Sequence, residues 1–149
     1  MPRAIQKSDL LDTLPQEWHE DLLTEIRRKV QLAGTKIVVL DDDPTGNQTV
    51  HGVDVLTVWD VPALIEAFQD PEPVVYLLTN TRSVPAPVAG VMNREIAANL
   101  KAAQAATDRD FAVVSRSDST LRGHYPAEVE ALTEALDHGI DATLIIPFF

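Results

Sequence analysis

Apolar residues along this chain fall into two alternating rhythms. From Pro15 to Ala33, Trp18, Leu22, Ile26 and Val30 recur every four positions with charges between them, the period of an amphipathic helix. Thr13 and Gln16 have capping-box spacing at its start, and Gly34 supplies a stop. The rhythm then changes. Lys36 to Asp41, KIVVLD, is a short β-branched run of the kind that forms a buried strand, and four runs resemble it: VDVLTVW from Val53, VVYLLT from Val74, FAVVS from Phe111 and TLIIPF from Thr143. Helical faces lie between them. Val61, Leu64, Ile65 and Phe68 make one, and Val88, Met92, Ile96, Leu100 and Ala103 a longer one. Val129, Leu132 and Leu136 make a third, opened by Pro126 and closed by Gly139. Strands apolar on both faces, alternating with amphipathic helices, predict an α/β fold: a parallel sheet flanked by helices. Residues 1–35 form an N-terminal extension, and 36–149 the body of the domain.

Polar residues collect just past the carboxyl ends of the predicted strands. DDDPTGNQT, Asp41 to Thr49, follows the first; TNTRS, Thr79 to Ser83, the third; SRSDSTLRGH, Ser115 to His124, the fourth. In open parallel sheets these ends share one edge, and ligands bind in the crevice there. Adjacent carboxylates repel, which a turn alone does not require, although Asp favours turns. The group Asp41, Asp42 and Asp43 could hold Mg²⁺, accept hydrogen bonds from hydroxyls, or act as a general base. Pro44 and Gly46 form a tight turn that brings backbone N–H groups near a ligand. Arg82 stands beside Asn80, Thr81 and Ser83, while Arg116 and Arg122 flank Asp118, Ser119 and Thr120. A guanidinium fork suits carboxylate or phosphate. The bland alternatives are an internal pair between Asp118 and either arginine, helix-capping roles for Ser119 and Thr120, and a structural His124. The inventory suits a small, anionic, polyhydroxylated ligand.

Composition narrows the classes. With 12 Lys+Arg against 23 Asp+Glu the 149-residue chain carries a net charge of −11, which disfavours nucleic-acid and anionic-membrane partners. Hydrophobic residues at 45% exclude a disordered acidic tail. There are no cysteines, so thiolate chemistry is excluded, and His19, His51 and His138 form no metal-binding spacing. No apolar run is long enough for a membrane span, and the N-terminus lacks a signal-peptide core, so a cytoplasmic location is expected.

Two motif readings compete. DDDPT, with Asp41, Asp43 and Thr45, followed by Thr79 at a later strand end, resembles the first two motifs of haloacid-dehalogenase-like phosphatases, whose first Asp is the phosphoryl-accepting nucleophile. The downstream lysine and late acidic pair of such enzymes have no counterpart here. LDDDPTGNQTVHGVDVLT, LLTNTRS and SRSDSTLRGHYPAE together resemble the N-terminal domain of the four-carbon acid sugar kinases, over about Lys36 to Phe149.

That resemblance implies an ATP-dependent kinase of threonate- or erythronate-like acids, built from two α/β domains. The N-terminal one binds the sugar acid; ATP and Mg²⁺ enter mainly through a C-terminal nucleotide-binding domain whose glycine-rich motifs have no counterpart in this chain. Asp42, Asp43, Thr45 and Gly46 match the first motif, Asn80, Arg82 and Ser83 the second, and Arg116, Asp118, Ser119, Thr120, Arg122 and His124 the third. In this reading Arg82 clamps the substrate carboxylate and Asp43 accepts the hydroxyl proton, with Asp118 the competing base. Arg116 or Arg122 meets phosphate oxygens, and Ser119 and Thr120 hold hydroxyls. No residue is assigned to a metal. A non-catalytic sugar-acid-binding module remains a third possibility. The terminal IIPFF reads as a strand with no helix after it to cover Phe148 and Phe149, so the chain is expected to be part of a larger kinase and inactive alone.

Overall fold

The computed structural model describes residues 6–16, 19–48, 50–118, 122–137 and 142–146. Trp18, Ser119, Thr120, Gly139, Phe148 and Phe149 lie outside the described residues. Two helices come first, α1 (Lys7–Leu11) and α2 (Leu23–Ala33). Then follow β1 (Lys36–Asp41), β2 (Asp54–Leu56), α3 (Val61–Gln69), β3 (Val74–Leu78), a 3₁₀ turn (Thr81–Ser83), α4 (Ala86–Thr107), β4 (Phe111–Arg116) and α5 (Ala127–Leu136). The four strands form one all-parallel sheet in the order β2-β3-β1-β4. The α/β fold expected from the two rhythms is the fold observed.

Alternation sorts the strand residues between faces. Val38 and Leu40 of β1, with Val75 and Leu77 of β3, face α3, α4 and α5 and are fully or almost fully buried. Leu64 and Phe68 of α3, Ile96 and Leu100 of α4, and Leu132 and Leu136 of α5 complete that core. Phe68 also meets the ring of Phe111 at a centroid distance of 5.8 Å. The opposite face is less covered: Val114 of β4 is exposed, as are Leu22, Leu23, Ile26 and Leu32 on and beside α2.

Several expectations need correction. The amphipathic helix begins at Leu23, not Pro15: Leu22 is its N-cap with no side-chain cap, and the Asp21 carboxylate accepts the Leu23 N–H at 3.0 Å in a turn that precedes it. Thr13 is no cap; its hydroxyl donates back to the Leu10 carbonyl. The Gly34 stop is real, with φ +66° and an N–H bonded to the Val30 carbonyl. The strand expected from Val53 shrinks to Asp54–Leu56, since Asp60 Oδ1 caps α3 by accepting the Ala63 N–H at 2.9 Å. On α4 the buried face is Ala89, Asn93, Ile96, Ala97, Leu100 and Ala103, and Val88 turns outward. α5 ends on Asp137, whose φ of 49° makes the left-handed cap assigned to Gly139. Among the described residues, 142–146 form no strand, and Leu144, Ile145 and Ile146 are exposed there; the rest of the expected run lies outside the described residues.

Candidate functional site at the carboxyl edge of the sheet

β1 lies at the centre of the sheet, so its carboxyl end is flanked by those of β3 and β4, and the three polar loops meet there. The register sets Asp41 opposite both Leu78 and Arg116. A staple holds the first two loops together: the Asp41 carbonyl accepts the Thr79 N–H at 2.8 Å, the Thr79 hydroxyl at 3.1 Å and the Asn80 N–H at 3.4 Å. Asn80 then turns the chain with φ 49°, a conformation Asn tolerates. Its carbonyl accepts the Ser83 N–H and hydroxyl, forming the 3₁₀ turn that presents Arg82.

Although consecutive, the three aspartates have different tasks. Asp41, 1% exposed, lies beneath the loop, near the Asp43 N–H at 3.4 Å. Gly46 packs so closely on its carboxylate that a Cβ at that position would collide with both oxygens and the carboxyl carbon. Asp42, 2% exposed, ties the first loop to the third: its Oδ2 accepts the Asp118 N–H at 2.6 Å and the Ser117 hydroxyl at 3.5 Å. Asp43 Oδ1 accepts the Thr45 N–H at 2.9 Å, and its Oδ2 pairs with Arg82 Nη1 at 2.6 Å. The same Arg82 nitrogen reaches Asp118 Oδ2 at 2.8 Å, and Arg122 Nε reaches that oxygen at 2.9 Å. Arg82 is thus committed to two carboxylates of the protein itself.

Arg116 is held differently. Its Nη1 lies 3.4 Å from Asp41 Oδ1, 3.5 Å from Asp42 Oδ1 and 3.8 Å from Asp43 Oδ2, close enough for attraction but in hydrogen-bond geometry with none. Asp41 Oδ2 and Asp42 Oδ1 are likewise buried without a hydrogen-bond partner. Native proteins rarely leave buried charged atoms in that condition.

These surroundings separate the carboxyls in protonation. Burial pushes Asp41 and Asp42 above the ordinary aspartate range, only partly offset by the Asp43 N–H and Arg116 for Asp41 and by the Asp118 N–H for Asp42. Glu128 and Asp118 add repulsion at Asp42. Asp43 also loses hydration, but hydrogen bonds from the Thr45 backbone and hydroxyl, with Arg82 and Arg116 beside it, hold it below the ordinary range. The ionised form of Asp43 is thereby favoured, which makes it a weaker base than an ordinary aspartate. Asp118 raises the Arg82 guanidinium in turn.

His124, matched to the third motif, is an internal strut: Nε2 faces the carbonyl oxygens of Val84 at 2.8 Å and Thr81 at 3.1 Å, bracing the turn that carries Arg82. Thr45, Asn80, Ser83 and Arg122 line the exposed side of the cluster. The pairing of Asp118 with Arg122 matches the internal alternative weighed above, whereas Arg116 does not take that place and Arg82 does. Sequence reasoning missed Glu128, buried in the first turn of α5 with Asn93 Nδ2 of α4 at 3.5 Å. The available signal was Asn93 interrupting the apolar stripe between Ala89 and Ala97.

The phosphatase reading loses its nucleophile, since Asp41 is sealed under Gly46. Among the described residues no group of three His, Cys, Asp or Glu is arranged to hold a metal, and no helix is long and apolar enough to cross a membrane. Arg82 and Arg116 stand where a cation would face the acidic cluster, so these residues do not fit a Mg²⁺ site.

An all-parallel α/β sheet with oppositely charged side chains at its carboxyl edge defines a small-molecule-binding domain of the open-sheet class. The chain belongs to the family of sugar-binding N-terminal domains, the N-terminal domain of the four-carbon acid sugar kinases, whose model matches residues 37–149. No curated protein and no solved structure matches it significantly.

Proposed function

We propose that this chain is the sugar-acid-binding domain of an ATP-dependent kinase acting on a four-carbon acid sugar of the threonate or erythronate type. The observation that supports this most is the cluster itself: Arg82, Arg116 and Arg122 interleaved with Asp41, Asp42, Asp43 and Asp118 on one sheet edge, within a sugar-binding family. Guanidinium groups recognise the carboxylate, while Thr45, Asn80 and Ser83 offer partners for hydroxyls. Asp43 is the base for the attacking hydroxyl, with Asp118 as the competing candidate. ATP and Mg²⁺ belong, in this reading, to a second nucleotide-binding domain, and no step through them is assigned to these residues. A phosphatase has no open nucleophile here; a non-catalytic binding module shares the same ligand.

Calorimetric titration with L-threonate, D-erythronate and the neutral tetritol erythritol tests the reading. At least one acid should bind and erythritol should not, because charge-assisted hydrogen bonds to a carboxylate contribute about 1.5–3 kcal/mol. Equal binding of erythritol would remove carboxylate recognition.

A further inference from the structure

The two inner arginines of the cluster differ in what they can offer a ligand. Arg82 is 17% exposed and its Nη1 is shared by Asp43 and Asp118 at 2.6 and 2.8 Å. Arg116 is 38% exposed, yet its buried Nη1 is suspended among three carboxylates without a hydrogen bond. A ligand anion at Arg82 must displace well-made bonds, whereas one at Arg116 meets a guanidinium whose attachments are loose.

Charge balance adds a second constraint. Around Asp41 stand Arg116 from β4, Asp42 and Asp43 from its own loop, and Arg82 from the 3₁₀ turn. Asp118, Glu128 and Arg122 form the next ring. With Asp41, Asp42, Asp43, Asp118 and Glu128 facing Arg82, Arg116 and Arg122, the fully ionised cluster is already net negative. An incoming anion that engages Arg116 also weakens the attraction that opposes protonation of Asp41. Asp41 has a buried oxygen, Oδ2, that no protein group satisfies, and no exposure through which water could screen it.

We propose that Arg116 receives the anionic group of the ligand and that Asp41, a positioning residue, takes up a proton from solvent as it arrives. The proposal rests on the sugar-acid reading above and specifies how that ligand is held. Binding then consumes one proton, so affinity falls as pH rises through the range in which free Asp41 loses its proton, by up to about tenfold per pH unit. Asp41 never meets the ligand; it works through Arg116.

The test is calorimetry on the 149-residue chain. L-threonate and, separately, inorganic phosphate are titrated in two buffers of different ionisation enthalpy, from mildly acidic to neutral pH. The expected result is a threonate binding enthalpy that differs between buffers and an affinity that weakens with rising pH. Arg116→Lys should weaken binding by about tenfold, since lysine lacks the planar fork. Asp41→Asn should remove the buffer difference; should that variant not fold, the wild-type buffer comparison still decides. Threonate binding with equal enthalpy in both buffers, or undiminished binding by Arg116→Lys, would overturn the proposal while leaving the sugar-acid reading intact. Phosphate binding with a proton uptake that Asp41→Asn removes, but no threonate binding, would sink the sugar-acid reading and keep the Arg116–Asp41 device. Binding of neither anion would overturn both.

Discussion

The sheet buries charge at both ends, and it does so in opposite ways. At the amino end, Lys36 is only 1% exposed and donates to the Glu72 carbonyl at 2.6 Å and the Asp70 carbonyl at 3.4 Å. Nearby, Arg109 donates to the Gly34 carbonyl at 2.8 Å, the Phe68 carbonyl at 2.7 Å and the Asp70 carbonyl. Backbone oxygens satisfy these cations, which hold the turns at that edge in place. At the carboxyl end, side chains of opposite sign satisfy one another, incompletely: Asp41 Oδ2, Asp42 Oδ1 and Arg116 Nη1 remain without hydrogen bonds. A structural charge is finished by the fold. A functional one is left with capacity for something else, at a cost in stability.

Substitutions at the two ends should therefore fail differently. The largest effect is expected from Gly46→Ala. A methyl there collides with the buried Asp41 carboxylate, so the loop must move. Overpacking of this kind costs about 1–3 kcal/mol, and the displaced loop should weaken sugar-acid binding by more than tenfold. Denaturant unfolding and calorimetry would show both losses together; normal binding would mean that the loop is not part of the site.

Next comes Arg109→Ala at the amino end. Its partners are partly solvated carbonyls, so a loss of about 2 kcal/mol is expected in denaturant unfolding, with sugar-acid affinity and its pH dependence unchanged. An altered affinity would join the two ends energetically and break the comparison.

The smallest effect should have the opposite sign. Burial raises the Asp41 carboxyl in the folded state, so the fold binds that proton more tightly than the unfolded chain does. Stability from this group is therefore fully present below the ordinary aspartate range and is lost as pH rises through the raised value. Asp41→Asn escapes that loss, and its thermal midpoint should gain on wild type as pH rises from acid to neutral. A midpoint difference that shrinks over the same interval would mean that the pairing with Arg116 outweighs burial.

Much of this architecture is legible in the residues. The runs KIVVLD, VVYLLT and FAVVS announce strands, though only the first is buried along most of its length and FAVVS is partly exposed at the sheet edge, and a parallel order follows from the helices between them. The convergence of the three polar loops follows from that order alone, because every strand points the same way. The division of labour among Asp41, Asp42 and Asp43 is not legible. It depends on β1 ending at Asp41, on its register with Arg116, and on a turn that folds Gly46 back over the strand. Arg82 and Arg116 look equivalent in sequence, and only the distances separate a saturated guanidinium from a loosely held one. Glu128 and Asn93 become a pair only when α4 and α5 pack. Periodicity alone carries the first amphipathic helix back through Asp21 to Pro15, where local turn chemistry prevails.

The staple on the Asp41 carbonyl has one more consequence. A single peptide oxygen receives Thr79 and Asn80 while the same residue's side chain underlies Gly46. Two recognition loops are thereby riveted to the middle strand, so their spacing is built in before any ligand is encountered. The selection of one stereoisomer over another can then act as a comparison of shape against a fixed gauge. Under the sugar-acid reading proposed above, such rigidity would itself discriminate acids that differ in the orientation of one hydroxyl.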